Sequence, residues 1–566
     1  MRPSIFESPD SAAKLGTAKN LHALGRIADA EKLYREVLAQ NSSDAEAMGL
    51  LAIAMLQRGN SKEAKKLLRQ SLSASPPAWV YLRNLHPLLA LLEKEGKDGE
   101  AARLADGGVP DWPALRLPDP SERAMLLGLA RTLARLKRPD AAARLLESAI
   151  ATLPADAELL YELARAHKLK GDLQATWTAL AAADAAIQPN TKFGLLTELY
   201  ACANALGKKT EAVALRNRIA AETPAFVFPR QAGHKAGILI LSGFPNFKYE
   251  TKTEFDLHFS GNYPTQLVRV LADEFHFSSV FSATPAGREA AANIPAPDLI
   301  INNFANAELL LAEGDAMAEA AFADSFGVPV INHPKKVLPT TRDRTAELVA
   351  DIPGLVAPRT SRFSRTGKSV EDLADEIESQ YGYPLITRTL SSQQGKGMVK
   401  VDDRDALIRF LSEDKKEDFF VTAFVDSRGE AKLYRKIRAA IVGGEIIVTR
   451  VDYSPHWNVH GRKSDEHRIA FYRNNRDLLA REDQICTDPH RELGQPAMQA
   501  LQAIGDRIPL DIFGVDFDVA PDGQLVFYEA NATMNLLSTA PPDIDHPRHM
   551  NEHLVSTLRN YLNSLL

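Results

Sequence analysis

The sequence has few of the features of secreted, membrane-embedded or disulfide-stabilised proteins. Its only cysteines, Cys202 and Cys486, cannot by themselves form a disulfide framework or a thiolate zinc site. No apolar run reaches the roughly 18 residues that cross a bilayer, and the first residues lack the apolar core of a secretory signal. The formal net charge is only −6, so a general affinity for nucleic-acid phosphates is not expected. We therefore expect a cytoplasmic protein that binds neither nucleic acid nor a membrane.

What the sequence does contain is the composition of an ordinary folded chain. Hydrophobic residues make up 45% and charged residues 25% of its 566 residues. At about 150 residues per domain, this length predicts three to four structural units. The pattern changes near residue 225, where an Ala- and Leu-rich half with helical spacing gives way to alternating strand and helix patterns.

The first half repeats with a period of 34 residues. Three positions of one unit recur in the next, namely Gly25, Ala30 and Tyr34, then Gly59, Ala64 and Leu68. Two packed helices need this combination of a glycine turn, a small contact residue and a large residue four positions on. The pattern resembles the tetratricopeptide repeat family over residues 1–225, whose arrays bind a peptide or protein partner. Helical hairpins that do not stack into a superhelix are the alternative.

One stretch of this half, at residues 77–120, breaks the repeat register. Proline and glycine cluster there in the sequences PP, GGVPDWP and LPDP. Because proline cannot extend a helix, we expect an irregular or decayed repeat in this stretch.

The residues after a linker at 225–234 have the pattern of an α/β domain with a largely parallel sheet. Strands are predicted for AGILIL, DLIINNF and VPVINHP, and helices for residues 263–275 and 307–325. The GxGxxG fingerprint of dinucleotide binders is missing from this block, so a nicotinamide enzyme is not expected.

The most informative segment is DIFGVDFDVAPDGQLVFYEANATMN, at residues 511–535. A Pro-Asp-Gly turn joins two predicted strands, of which one carries Asp516 and the other Glu529 and Asn531. Since residues two apart on a strand face the same side, these oxygens can converge and suit Mg²⁺ or Mn²⁺. A solvent-facing acidic edge is the alternative. Asp518 shares a face with Asp516 and competes with it as the ligand.

Glycines and basic residues precede this hairpin. Arg388 lies on a predicted strand that leads into a loop with Gly395, Lys396 and Gly397. Such loops let backbone N–H groups approach phosphate oxygens, and the lysine adds a mobile cation. Residues 417–453 predict two or three strands rich in Arg and Lys. We expect the loop, these strands and the hairpin to surround one nucleotide cleft.

Seven motifs in this part of the chain resemble, in their order, the ATP-grasp family. The resemblance is to the branch with D-alanine–D-alanine ligase, glutathione synthetase and the ligases that add glutamate to a ribosomal protein. In chain order the motifs are VPVINHP, Arg342-Asp343-Arg344, PLITR, QQGKG, VTAFVD, KIRAAIVGGE, and GVD with EAN. No single motif is specific, so the resemblance rests on their order.

Together the two resemblances imply a multidomain fold class, with an all-α repeat array followed by α/β and α+β domains. The implied domains are a tetratricopeptide repeat array at 1–225, a pre-ATP-grasp α/β domain at 235–335 and an ATP-grasp domain at 336–566, divided near 420 into a lid subdomain and a metal-binding subdomain.

The ATP-grasp resemblance also implies roles for single residues. The implied ligands of two Mg²⁺ ions that bridge the ATP phosphates are Asp516, Glu529 and Asn531. The implied lid over the phosphates consists of Gly395, Lys396 and Gly397. The implied adenine and ribose contacts are Thr422, Ala423, Phe424, Val425 and Asp426. Arg438 is expected to stabilise negative charge on the transferred phosphate and the acyl oxygen.

Two departures from the family pattern concern the phosphate-binding lysines, whose places are held here by Arg344 and Arg388. Arginine keeps the positive charge but differs in shape and reach. The polar segment at 454–467 is expected to lie over the site. The candidate substrate contacts in and near it are Arg450, Asn458 and His460.

The resemblance implies an ATP-dependent ligase that joins a small-molecule carboxylate to an amine through an acylphosphate. The repeat half would recruit a peptide or protein. Two alternatives remain open, namely an ATP-grasp kinase for a small molecule and an inactive nucleotide-binding scaffold that acts through its repeats.

Overall fold

The computed structural model divides the chain into two compact units. Unit 1 holds Met1–Ile219, and unit 2 holds Ala220–Pro245 and His258–Leu566. The residues that the structure describes are 9–107, 120–152, 156–187, 191–228, 230–244, 267, 270–390, 397–413, 417–429, 432–459, 466–537, 544 and 549–566.

Up to Glu222, the described chain consists of twelve helices. Their bounds are α1 Pro9–Ala23, α2 Ile27–Gln40, α3 Ala45–Gln57, α4 Ser61–Ser73, α5 Ala78–Lys94, α6 Asp98–Gly107, α7 Pro120–Arg135, α8 Pro139–Thr152, α9 Ala157–Lys170, α10 Leu173–Ile187, α11 Phe193–Ala205 and α12 Lys209–Glu222.

The 34-residue pattern accounts for the pairing of these helices. Gly25 and Gly59 follow α1 and α3 with φ of +76° and +83°, a left-handed conformation that glycine adopts without strain. In the helices that follow, Ala30, Tyr34 and Leu68 are fully buried. The small residue allows close helix contact, and the large residues fill a core that runs along the array.

The first part of the stretch at 77–120, for which an irregular or decayed repeat is expected, forms two helices. There α5 and α6 are regular helices. Pro77 stands directly before α5, where a proline does not interrupt helical hydrogen bonds. Burial of leucines such as Leu85 and Leu92 then outweighs the presence of Pro87 inside α5. Residues 108–119 lie outside the described part.

Unit 2 begins with a five-stranded sheet in the order β1-β3-β2-β4-β5. The strands are β1 Ala225–Val227, β2 Ala236–Leu241, β3 Phe275–Val280, β4 Leu299–Asn302 and β5 Val330–Ile331. All neighbours are parallel except β1, which pairs antiparallel at one edge. The flanking helices are α13 Pro285–Ala291, α14 Ala307–Glu313 and α15 Ala316–Asp324.

This sheet confirms the three predicted strands and adds two. β1 lies in the segment expected to be a linker, and β3 begins where the predicted helix at 263–275 ends. The helix predicted at 307–325 is divided in two because Gly314 ends α14 and the side chain of Asp315 caps α15.

Two further sheets complete unit 2, in the orders β7-β10-β8-β9 and β12-β11-β13-β14-β6. Their strands are β6 Leu355–Val356, β7 Thr360–Ser364, β8 Leu385–Thr389, β9 Met398–Val401, β10 Asp418–Ala423, β11 Tyr434–Val442, β12 Glu445–Ser454, β13 Ile512–Val519 and β14 Leu525–Asn531. The remaining helices are α16 Pro334–Val337, α17 Arg342–Val349, α18 Val370–Glu378, α19 Arg404–Glu413, α20 Glu466–Asn474, α21 Arg476–Thr487, α22 Pro489–Leu493, α23 Gln495–Arg507 and α24 Met550–Leu565.

In both of these sheets, the alternation of side chains along a strand places the charged residues of the site on one face. Ile437, Ala439 and Ile441 of β11 pack into an apolar core with α21 and α23. Arg438 lies on the opposite face, which also carries a second apolar core with α24 further along the strand. Along β8 the burial pattern alternates as well, and Arg388 is on the less buried face.

No helix among the described residues has both the length and the apolar character needed to cross a bilayer.

Candidate active site

The two predicted acidic residues face each other on the β13–β14 hairpin. Asp516 and Glu529 are direct register partners, and a bulge follows them between Asp516 and Phe517. We call Asp516 and Glu529 the acidic pair. Asn531 lies opposite Gly514, and its side-chain oxygen accepts hydrogen bonds from the backbone N and the Oγ1 of Thr533, both at 2.7 Å. The hairpin thus brings the three predicted side chains to one end of two strands.

The acidic pair belongs to a row of charged residues that crosses four strands. Arg450 of β12 is the register partner of Arg438 of β11, and Arg438 is the partner of Asp516. The four residues Arg450, Arg438, Asp516 and Glu529 form what we call the charged row. Neighbouring strands are about 4.8 Å apart, so the row places two neighbouring arginines beside two neighbouring carboxylates.

Arg438 binds Asp516 with both arms of its guanidinium. The distances are 2.7 Å from Nε to Oδ1 and 2.8 Å from Nη2 to Oδ2, and the third nitrogen donates to the carbonyl of Asn535 at 3.1 Å. Lys436 adds a second cation 3.3 Å from Oδ2 of Asp516. The Asp516 side chain is 3% exposed. It is therefore a buried carboxylate held by a forked, charge-assisted pair.

Glu529 is approached from two other elements. Nη2 of Arg342, at the start of α17, lies 3.5 Å from Oε2 of Glu529, and Nη1 of Arg388, on β8, lies 3.4 Å from the same oxygen. Arg342 also lies 3.6 Å from Glu308. Arg344 does not join these residues, because its side chain is exposed and donates to the carbonyl of Leu338.

Among the described residues, the charged groups at this place number five cations and four carboxylates. We call them the site cluster, and its members are Arg342, Arg388, Lys436, Arg438, Arg450, Glu308, Asp452, Asp516 and Glu529. The cluster has a net positive charge when every group is ionised. An excess of donors with a forked geometry suits phosphate or carboxylate oxygens.

The electrostatics keep both carboxylates of the acidic pair ionised. Burial alone would raise the pKa of Asp516, but the charges of Arg438 and Lys436 outweigh it and hold this pKa below its usual value. Burial likewise opposes ionisation of Glu529, and Arg342 and Arg388 outweigh it and lower the pKa of Glu529. Both side chains are therefore acceptors near neutral pH.

The donor chemistry of the hairpin fits Mg²⁺ or Mn²⁺. Mg²⁺ is usually held by one or two carboxylates, waters and the phosphates of a substrate rather than by an all-protein cage. The acidic pair supplies two ionised carboxylates, and Asn531 adds an amide oxygen. Among the described residues, no group of three or more His, Cys, Asp or Glu side chains is arranged to hold a metal.

Asp518 lies outside this donor set. Its Oδ2 accepts a hydrogen bond from Ser427 Oγ at 2.7 Å, and its Oδ1 accepts one from Arg435 Nε at 2.5 Å. Burial outweighs these contacts and raises the pKa of Asp518. Asp518 therefore has separate partners, and the acidic pair is formed by Asp516 and Glu529.

The segment expected to contact adenine begins at the end of β10. Thr422 Oγ1 lies 3.1 Å from Thr360 Oγ1, and the backbone N–H of Ala423 donates a hydrogen bond to the backbone carbonyl of Arg359. The Lys400 ammonium lies 4.9 Å from the centre of the Phe424 ring. Val425 follows Phe424 in this segment, where the backbone forms no strand.

Asp426, the candidate ribose contact, is paired with Arg428. The guanidinium of Arg428 donates to both oxygens of Asp426, at 2.9 Å from Nε to Oδ1 and 2.6 Å from Nη2 to Oδ2. The side-chain hydrogen bonds from Arg428 lower the pKa of Asp426 against the opposing effect of burial. A ribose hydroxyl would thus share this carboxylate with Arg428.

Three of the predicted site residues lie outside the described part of the chain. Gly395, Lys396 and His460 are not described, whereas Gly397 is, with φ of +70° before β9. Asn458 is half-buried in the segment after β12. Their assigned roles stay predictions.

Sequence reasoning missed four members of the site cluster, namely Arg342, Lys436, Asp452 and Glu308. Lys436 lies two residues before Arg438 on one strand, so the alternation rule alone could have placed the two on one face. Asp452 is related to Arg450 in the same way. Glu308, on α14, has no such signal in the sequence, because only the fold brings it to Arg342.

Comparison with family models matches two segments of unit 1 to tetratricopeptide repeats, at residues 21–85 and 123–166. Unit 1 is a tetratricopeptide repeat array. Among solved structures, this array is similar to YrrB, described as a TPR protein with an unusual peptide-binding site. The identity is 19%, the match covers 31% of this chain and 86% of YrrB, and the TM-score is 0.23.

The part of the chain that follows the tetratricopeptide repeat array is similar to ATP-grasp ligases. VanG D-Ala:D-Ser ligase from Enterococcus faecalis is 19% identical, with coverage of 48% of this chain and 74% of VanG and a TM-score of 0.31. Carboxyaminoimidazole ribonucleotide synthase from Aspergillus clavatus, complexed with ATP, is 14% identical, with coverage of 53% and 70% and a TM-score of 0.32. A search of curated sequences finds no significant match. The activities named for these neighbours belong to those proteins.

Proposed function

We propose that unit 2 is an ATP-dependent carboxylate–amine ligase that acts through an acylphosphate. The observation that carries this proposal is the charged row, in which Arg450, Arg438, Asp516 and Glu529 lie side by side on four strands. A structural ion pair needs only two partners. This row, with Arg342 and Arg388 added from two other elements, joins six charged residues at one place.

The site cluster suits a triphosphate together with a divalent cation. When bound, Mg²⁺ would neutralise phosphate charge and make the γ-phosphorus more electrophilic. Asp516, Glu529 and Asn531 are the residues that would hold it. Arg342 and Arg388 approach Glu529 from α17 and β8, and in this proposal they would bind phosphate oxygens.

The remaining cations of the site cluster would serve both halves of the reaction. In the proposed chemistry, an acid carboxylate attacks the γ-phosphorus and ADP leaves. An amine then attacks the acyl carbon, loses a proton and expels phosphate. Arg438, Lys436 and Arg450 would stabilise the oxygen charges in both steps, and no nucleophilic side chain is required.

A screen of phosphate release tests this proposal. Purified full-length protein is incubated with ATP, Mg²⁺, pairs of amino acids and candidate peptides, and the products are weighed by mass spectrometry. The proposal expects ADP, phosphate and an amide product that forms only when acid and amine are both present. ADP formation with a phosphorylated acceptor and no amine requirement would indicate a kinase instead. Failure to bind ATP would leave only a repeat scaffold.

We further propose that unit 1 recruits a peptide or protein substrate to this ligase. Removal of residues 1–222, a cut that leaves β1 intact, should preserve ATP binding by unit 2. For a macromolecular substrate, kcat/KM should fall by about tenfold or more, because the effective concentration that the array provides is lost. The measurement compares kcat/KM of the truncated and full-length proteins for the macromolecule. Equal values would contradict recruitment by unit 1.

A further inference from the structure

Helix α17 begins with a contact from another element in place of a cap of its own. Thr341 precedes the helix, and its side chain caps no backbone N–H of the described chain. The first backbone N–H of the helix, that of Arg342, donates to Oε1 of Glu308 at 3.1 Å. Glu308 belongs to the first turn of α14, which follows β4 of the parallel sheet. Its carboxylate satisfies one of the N–H groups that the start of a helix leaves free, and its charge suits the helix dipole.

The same carboxylate lies beside the guanidinium of the residue whose N–H it accepts. Nη1 of Arg342 is 3.6 Å from Oε1 of Glu308, and Nη2 is 3.5 Å from Oε2 of Glu529. Arg342 therefore lies between two carboxylates, one from α14 and one from β14. The buried Nε of Arg342 has no hydrogen-bond partner among the described residues. The side chains of Arg342 and Glu308 are only 16% and 12% exposed, so both charges are largely removed from water.

The contacts of the Arg342 guanidinium are long compared with those of Arg438. Arg438 donates to Asp516 at 2.7 and 2.8 Å, which is the usual range for a hydrogen bond between guanidinium and carboxylate. In the described part of the chain, no carboxylate comes closer than 3.5 Å to the guanidinium of Arg342. This guanidinium therefore keeps donor capacity that its protein partners do not use.

We propose that Glu308 is a positioning residue that keeps Arg342 available to an anionic ligand. The two terminal nitrogens of the guanidinium are attracted to different carboxylates, so the contact with Glu308 opposes a forked pair between Arg342 and Glu529. The inference rests on the proposed function, in which Arg342 binds phosphate oxygens. It adds that a residue of α14, which touches no ligand itself, sets how strongly the nucleotide binds.

Charge alone would give Glu308 the opposite effect on affinity. A carboxylate near the site repels an anion, so neutralising Glu308 should tighten anion binding if charge were its only contribution. In the proposed arrangement, loss of the contact lets Arg342 close on Glu529, and a forked pair withdraws the arginine's donors from the ligand. The sign of the change in affinity therefore distinguishes positioning from simple electrostatics.

The test measures, by calorimetry with Mg²⁺ present, the affinity of the full-length protein for a non-hydrolysable β,γ-imido analogue of ATP. Glu308→Gln removes the charge, but its amide oxygen can still accept the N–H of Arg342, so α17 keeps its cap. This variant should bind the analogue about tenfold more weakly than the wild type. An unchanged or higher affinity would overturn the positioning role and leave the proposed function standing. If the analogue does not bind the wild type, both are contradicted.

A double-mutant cycle with Arg342→Gln separates positioning from structural damage. Arg342→Gln should itself weaken binding of the analogue by about tenfold. With Arg342 already replaced, Glu308→Gln should cause no further loss, because only its repulsion of the anion remains to be removed. Losses that multiply in the double variant would mean that Glu308 acts by another route, as a purely structural role would, and would overturn the proposal.

The matched control is Glu376→Gln. Glu376 forms an exposed pair with Lys368 that lies outside the site cluster, and the same change there should leave the affinity for the analogue unaltered. Thermal unfolding gives an independent readout, since the analogue with Mg²⁺ should raise the Tm of Glu308→Gln by less than it raises the wild-type Tm. Equal shifts of Tm would contradict the proposal. If Glu308→Gln folds poorly, Glu308→Asp, which draws the carboxylate back by one methylene group, provides a second variant with the same expected direction.

Discussion

Glu529→Gln should lower the rate of Mg²⁺-dependent ADP formation by about 100-fold or more, the loss seen when one preorganised electrostatic group is removed from an active site. The amide has nearly the same shape but lacks the negative charge that a divalent cation needs. The Glu529 side chain is 25% exposed and its contacts with Arg342 and Arg388 are long, at 3.5 and 3.4 Å. The fold should therefore survive the change, and the melting temperature checks that it does.

The control for this variant is Asp351→Asn. Asp351 is an exposed carboxylate paired with Arg507, and the same carboxylate-to-amide change there should leave ADP formation unaltered. Activity of Glu529→Gln within a few fold of the wild type would show that the acidic pair does not serve phosphoryl transfer.

Arg438→Gln should destabilise the sheet formed by β12, β11, β13, β14 and β6 by about 3–5 kcal/mol, which is the cost of leaving a buried charge without its partner. Asp516 is almost fully buried, and both of its carboxylate oxygens accept hydrogen bonds from the guanidinium of Arg438. Native-state hydrogen exchange of peptides from β11 and β13, read by mass spectrometry, measures this regional stability. The array of unit 1 should keep its protection, which makes it an internal control.

The double variant Arg438→Gln/Asp516→Asn separates the ion pair from other effects. Removal of both charges leaves no unpaired carboxylate beside β11, so the double variant should lose less stability than the sum of the two single variants, by about 0.5–3 kcal/mol. Strict additivity of the three changes would mean that Arg438 and Asp516 do not act as a pair.

The hairpin was predictable because its information is local. A Pro-Asp-Gly turn predicts the hairpin, but an unbroken register from this turn would place Asp516 opposite Tyr528. The bulge after Asp516 brings Glu529 opposite Asp516 instead, and the strand period does not predict this bulge. The role of Arg438 is implied by the family resemblance alone, and its pairing with Asp516 comes from the fold. The resemblance implies a phosphate-binding role for Arg344, whereas the arginine of this helix that contacts Glu529 in the structure is Arg342. A helical sequence pattern does not determine which side chain in the first turn of α17 faces the acidic pair, because that depends on how α17 packs.

In the fold as well, elements specified by nearby residues were predicted from the sequence, and elements that depend on distant partners were not. The repeat pattern predicted the helix pairs of unit 1 because a glycine turn and a buried residue recur within each period. Strand β3 was missed, although FHFSSV has strand residues, because a helical pattern runs directly into it. Strand β1 has only three residues, and it exists because β3 offers an edge for antiparallel pairing. Such edge strands are fixed by their partner and not by their own sequence.

Calorimetric titration of the full-length protein with the β,γ-imido analogue of ATP and Mg²⁺ tests most directly whether the site cluster is a nucleotide site. We predict saturable binding with a dissociation constant below about 1 mM, weakened at least about tenfold by Glu529→Gln. No heat of binding in the presence of Mg²⁺, or equal affinity of wild type and Glu529→Gln, would contradict a nucleotide site built on Asp516 and Glu529.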